Sequence, residues 1–96
     1  MMVLYSLHAK QRMNLRVISE TEIKNALEHG RVIKTQEDGC IVVHHNRVRV
    51  VFAINQQQVT IVTVMPDKAF EKQVKRLAKK EKLTMKQATK KLKDIA

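Results

Sequence analysis

The apolar residues of this chain change their spacing twice. They recur at helical intervals as far as Gly30, alternate or run in β-branched clusters from Arg31 to Met65, and return to helical intervals after Pro66. Helices repeat every 3.6 residues and strands every two, so the order αα–ββββ–αα is expected, an α+β chain rather than a bundle or a sandwich. The clearest strand is Val59-Thr60-Ile61-Val62-Thr63-Val64-Met65, a β-branched run stopped by Pro66. Before it, Arg47 to Ile54 begins with strict alternation, which sets Arg47 and Arg49 on one face and Val48 and Val50 on the other. Cys40 to Val43 and Val32-Ile33 supply two further strands. Turns expected at Glu37-Asp38-Gly39, His45-Asn46 and Asn55-Gln56-Gln57 are short, which calls for an antiparallel meander.

Capping residues mark the helices. Ser6 suits the start of a helix reaching Leu15, with Arg16-Val17-Ile18 as connector. Ser19 and Glu22 form a capping box ahead of Ile23, Ala26 and Leu27, and Gly30 is expected to supply a left-handed end. Asp67 caps a helix with the stripe Phe70, Val74, Leu77 and Ala78. Thr84 and Gln87 make a second box before Met85, Ala88, Leu92 and Ile95, while Lys79 to Lys82 reads equally as a turn or as part of one bent helix. The expected fold is two N-terminal helices packed on a four-stranded antiparallel sheet, then a basic C-terminal helical extension. Residues 1–66 would form the α+β domain and 67–96 the extension, packed on the same domain.

Charge gives the first functional lead. The net charge is +10, and residues 67–96 account for +7 of it, with ten lysines and Arg76 against four acidic groups. Such a field favours polyanions, above all nucleic acid, over other partners; the bland alternative is that the lysines only solvate helix faces. Lys72, Lys75, Lys79, Lys82, Lys86 and Lys90 are the residues that would neutralise phosphates. Aromatics make up 3% of the chain, so a stacking platform for single strands is disfavoured. One cysteine excludes an internal disulfide and a multi-cysteine zinc site. No apolar run nears the roughly 20 residues of a membrane span, and no export signal opens the chain, so a cytoplasmic protein without a membrane role is expected. The short chain has little core in reserve, which makes a homodimer plausible.

His8 and Arg12 stand four apart and share a helix face, and Arg16 lies just beyond. Histidine moves protons near neutral pH, and arginine grips phosphate with a planar fork. Metal-free RNA cleavage needs those parts: a base for the 2′-hydroxyl, cations for the phosphorane and an acid for the leaving oxygen. A surface pair that merely solvates the helix has the same spacing. Arg47 and Arg49 are candidate phosphate grips on the sheet. His44 and His45 point to opposite faces of a strand and do not suit one metal. No phosphate-binding glycine loop, paired-carboxylate motif or nucleophile elbow appears, and no cofactor or metal is expected.

The stretch Ser6-Leu7-His8-Ala9-Lys10-Gln11-Arg12-Met13, followed by Arg16-Val17-Ile18-Ser19, resembles the opening of a family of small uncharacterised bacterial and phage domains. That family carries an H-A-x-x-R-M element, an R-x-I-S helix start, a Gly-ended second helix and a meander. It is similar to the RelE-like toxins and the wider barnase–EndoU–colicin–RelE ribonuclease group. The resemblance spans roughly residues 5–65 and implies a toxin-like, metal-independent ribonuclease acting on mRNA or tRNA. It places His8, Arg12 and Arg16 at the matched polar positions and implies a cognate antitoxin or other acidic protein partner. Active-site residues vary within that group, so shared fold does not carry shared chemistry.

A second likeness competes. Val59 to Ala96 is similar to the strand–helix–helix of ribbon-helix-helix DNA-binding repressors and antitoxins, which implies a non-catalytic or regulatory nucleic-acid binder. In that family the strand pairs with its twin from a second chain, whereas here preceding strands are available to it.

Overall fold

Each expected cap begins a helix in the computed structural model, which describes residues 2–95, the side chain of Ile95 excepted. The Ser6 hydroxyl accepts from Ala9 N at 3.0 Å and starts α1 (Leu7–Arg16). Ser19 and Glu22 close their reciprocal box ahead of α2 (Glu20–His29). Asp67 accepts from Phe70 N at 2.7 Å before α3 (Lys68–Glu81), and Thr84 and Gln87 bond each other's amides before α4 (Met85–Ile95). Arg16 is the last residue of α1 rather than connector, because the left-handed residue that ends the helix is Val17, at φ 53°. Lys82 at φ 55° likewise ends α3, so two helices follow Pro66 and not one bent one.

The sheet corrects the expected four antiparallel strands. Five strands stand in the order β1-β5-β4-β3-β2, where β1 is Met2–Tyr5, β2 Arg31–Thr35, β3 Ile41–His45, β4 Val48–Asn55 and β5 Gln58–Pro66. β2 to β5 form the antiparallel meander, but β1 lies parallel to β5 in the register Met2↔Gln58 to Tyr5↔Ile61. Four residues show too little alternation to be read as a strand, and the partner lies far along the chain. β5 is thus paired with β4 and β1 of its own chain, which leaves no room for a twin strand of the ribbon-helix-helix kind.

Turn register moves a candidate residue. The β3–β4 turn is Asn46-Arg47, both at positive φ (45° and 75°), and not His45-Asn46. Asn tolerates that conformation, which suits the twist of a two-residue hairpin. Arg47 therefore leaves the strand, and its guanidinium sits over the Phe70 ring, 5.1 Å from the centroid. It does not share a sheet face with Arg49.

One core lies between the sheet and α1 and α2, with Ala9, Ile23 and Ala26 meeting Val50, Ile61 and Val64. An irregularity in β5 around Val62 lets Ile61 and Val64, three apart, both be fully buried. A second, separate cluster joins α3 and α4 through Phe70, Val74 and Ala88, with Leu77, Ala78, Leu83 and Leu92 around it. Met85, expected in that stripe, is exposed instead; the side chain of Ile95 lies outside the described residues. Polar contacts bind the hairpin to the body. Lys93 Nζ donates to Glu22 at 2.8 Å and to the Val17 carbonyl, and Lys86 Nζ donates to Asn14 Oδ1 at 2.7 Å. His44 Nε2 lies 3.1 Å from Asp67 Oδ2.

Gly30 is extended (φ −72°) and not left-handed. It is required for a different reason: a Cβ there would stand 2.2 Å from the Ala26 carbonyl oxygen and 3.2 Å from that of His44. Gly30→Ala should accordingly cost about 1–3 kcal/mol, read as a lower urea midpoint. Asp67 yields a second expectation. Burial by itself raises its pKa, but the bonds from Phe70 N and His44, with Arg49 nearby, hold it below the ordinary aspartate range. A carboxyl depressed in the folded state adds stability above its unfolded pKa of about 3.9 and loses it as pH falls through the folded value. Asp67→Asn keeps a capping oxygen but cannot ionise, so urea unfolding should show a shallower loss of stability below about pH 4.

Candidate functional site: an arginine-lined groove

Beyond Tyr5, β1 no longer covers β5, and α1 takes over the exposed edge. Ser6 N donates to Ile61 O, Ser6 Oγ to Val62 O at 3.0 Å and Arg16 Nη1 to Val64 O at 2.6 Å. Bonded at both ends, α1 lies along β5 with Arg12 and Arg16 turned toward the hairpin of α3 and α4. The space between is a groove of about 530 Å³. α1 contributes Arg12, Leu15 and Arg16; the sheet contributes Arg49, Met65 and Pro66; α3 gives Glu71 and Val74; and α4 gives Thr84, Met85, Lys86 and Thr89.

The electrostatics follow from that convergence. Burial, and then Arg12 and Arg49, disfavour the charged form of Arg16, while Glu71 opposes them. Arginine stays protonated in proteins, so this crowding takes the form of positive potential that Glu71 offsets only in part. Arg49 is half-buried: Nη2 donates to Pro66 O at 3.2 Å, while the buried Nε has no partner. Three guanidinium groups around one cavity, with an apolar floor of methionine, proline and valine, suit an anion that also carries an apolar part.

The expected residues divide. Arg12, Arg16, Arg49 and Lys86 are brought together in the groove lining. His8 is exposed and lies outside that lining; Arg12 Nε donates to His8 Nε2 at 3.4 Å. Arg47 is on Phe70. Lys72, Lys75, Lys79, Lys82 and Lys90 are exposed on the hairpin and do not line the groove, and Lys75 is paired with Glu71 at 3.1 Å. His44 turns to Asp67, whereas the ring of His45 lies 6.2 Å from that of His29. Among the described residues no group of His, Cys, Asp and Glu could hold a metal ion, and no helix is long and apolar enough to cross a membrane.

Sequence reasoning missed Glu71 and the His44–Asp67 pair. Glu71 sits next to the apolar residue Phe70 in the first turn of α3, where an acidic group is unremarkable beside the helix dipole. Strand alternation did hold one clue, since it put Arg49 on the face opposite Val48 and Val50. That face carries the row His44, Arg49 and Met65, and leads from the dyad to the groove.

Among curated proteins none matches the chain. One chain of the crystal structure of the toxin–antitoxin complex RelBE2 from Mycobacterium tuberculosis is similar over 69% of this chain and 96% of its own, at 14% identity and a TM-score of 0.47. That likeness is too loose to carry fold or activity across. A family model gives more: residues 5–66, which hold both N-terminal helices, the whole meander, and Arg12, Arg16 and Arg49, match the Domain of unknown function (DUF4258). The chain therefore belongs to the DUF4258 family, with α3 and α4 lying beyond the matched segment.

Proposed function

We propose that the groove holds the backbone of RNA and that the protein is a toxin-like, metal-independent endoribonuclease acting on mRNA or tRNA. The observation that carries this reading is the convergence of Arg12, Arg16 and Arg49 on one cavity, where Arg12 and Arg49 both disfavour the charge on Arg16. A phosphate seated there accepts charge-assisted hydrogen bonds, and the same donors stabilise the extra charge of a phosphorane. RNA rather than DNA fits metal-free cleavage, because the 2′-hydroxyl is a built-in nucleophile. His8 acts at the rim, orienting Arg12 through their contact.

Residues 67–96 extend the 1–66 domain in this reading. The exposed lysines Lys72, Lys79, Lys82 and Lys90 add sequence-independent attraction for phosphate, and Lys86 joins them to the groove. An acidic antitoxin would bind the same basic surface. The lysine face favours a second reading, retention of nucleic acid without cleavage.

The test uses full-length protein with mRNA or tRNA, with and without ribosomes, in EDTA. Wild type should cut, leaving 2′,3′-cyclic phosphate ends. Arg12→Gln, which loses only an exposed side-chain contact, should weaken RNA binding about 10- to 100-fold and reduce its salt dependence. Binding that is lost only on removing residues 67–96, with no cutting, would establish the second reading; no RNA retention at low salt would sink both.

A further inference from the structure

A cradle made only to hold phosphate gains nothing from a carboxylate, yet Glu71 lines the groove with the three arginines. It is the single acidic side chain in that lining. Its field reaches Arg16, where it works against the repulsion from Arg12 and Arg49. One structural explanation would be that Glu71 pins those arginines by direct ion pairs. Among the described residues its ion pair is with Lys75, one turn further along α3, and with none of the three. The carboxylate is half-exposed, and an i,i+4 pair of this kind adds little to stability, too little to explain its place in the groove.

Its position is built. Asp67 caps α3 one turn before Glu71 and is bonded to His44 on the sheet, which sets the angle at which the first turn of α3 meets the body. A bound phosphodiester would be repelled by Glu71 and attracted by its neighbours. That pairing suits a site where a proton must be taken from a group attached to the phosphate.

Resting on the reading of the groove as an RNA-cleaving site, we infer that Glu71 is the general base. The carboxylate takes the proton of the ribose 2′-hydroxyl, and the 2′-oxygen forms a bond to phosphorus. Arg12, Arg16 and Arg49 hold the charge of the five-coordinate phosphorane. The bond from phosphorus to the 5′-oxygen then breaks. The leaving oxygen takes a proton from water, and Glu71 returns its own proton to solvent. The products are a 2′,3′-cyclic phosphate and a 5′-hydroxyl, with no water consumed and no metal required. The base thus comes from α3, outside residues 5–66 of the family match. His8, which the chain's opening motif suggests for proton transfer, is not the base.

The experiment compares wild type, Glu71→Gln and Glu71→Asp as full chains in EDTA, on a fluorescein-labelled single-stranded RNA of mixed sequence. Affinity is read by anisotropy and cleavage rate across pH. Glu71→Gln should cut about 10²- to 10⁴-fold more slowly, bind RNA as tightly or more tightly, and lack the acidic limb of the wild-type pH profile. Glu71→Asp should keep an intermediate rate. Urea unfolding confirms that both variants are folded. Cutting by Glu71→Gln at the wild-type rate, an unchanged acidic limb, or a fall in affinity that matches the fall in rate would each overturn the assignment while leaving the RNA-cleaving groove in place. A wild type that does not cut would remove both.

Discussion

The exposed edge of β5 is the constraint on which this structure turns. β1 covers only Gln58 to Ile61, and the carbonyls beyond would face an unpartnered flank. A buried backbone group without a hydrogen bond costs about 1–3 kcal/mol, so the flank must be filled. Ser6 and Arg16 fill it from opposite ends of one helix, donating to Val62 O and Val64 O. The same two bonds decide how α1 lies, and with it where Arg12 and Arg16 face. The sheet edge and the groove therefore rest on one contact set: Arg16 completes the sheet edge and carries charge into the groove.

A second constraint is the division of the apolar residues into two cores. α1, α2 and the sheet share one, while α3 and α4 close on themselves around Phe70, Val74 and Ala88. Two bodies that do not merge their cores leave a seam, and the groove lies in it. The seam is held by polar links: His44 with Asp67, Arg47 over Phe70, Lys86 with Asn14, and Lys93 with Glu22 and Val17. Exposed ion pairs add little, but Lys93 and Glu22 are largely shielded, at 21% and 33% exposure, and tie α4 across the ends of both N-terminal helices. Two lysines of the extension thus serve attachment and not solvation.

Positive charge in this protein therefore has more than one use. The hairpin's outer lysines create a broad field that attracts polyanions without geometry. The groove arginines concentrate the same sign at one place, where a planar fork of donors has the geometry that matches a phosphate. Net charge predicts the first and is silent on the second, because convergence is a property of distance. Glu71 illustrates the difference: in a count it lowers the charge by one, and in the groove it is a carboxylate placed beside the cations.

Local chemistry made much of this legible. Capping bonds reach three residues along the chain and apolar stripes repeat within a turn, so the helical segments, the meander and the partition of charge can be read from Ser6, Ser19, Asp67, Thr84 and the β-branched runs. The break at Lys82 that makes two helices of residues 67–96 could not. His8 and Arg12 could be placed on one helix face from their spacing, whereas Arg16 was read as connector and only the structure puts it at the end of that helix. What failed depended on partners remote in sequence or on register. β1 is defined by its pairing with β5, and Gly30 by its approach to the carbonyls of Ala26 and His44. A one-residue shift in the β3–β4 turn took Arg47 off the sheet, since strand faces alternate and turn residues belong to neither. The sequence by itself determined where the helices start, that four meander strands follow the first two helices, and where the charge lies, since those follow from bonds and periods a few residues long. Only the tertiary structure decided that Arg49 and Glu71 join Arg12 and Arg16, because that meeting depends on how separate elements pack.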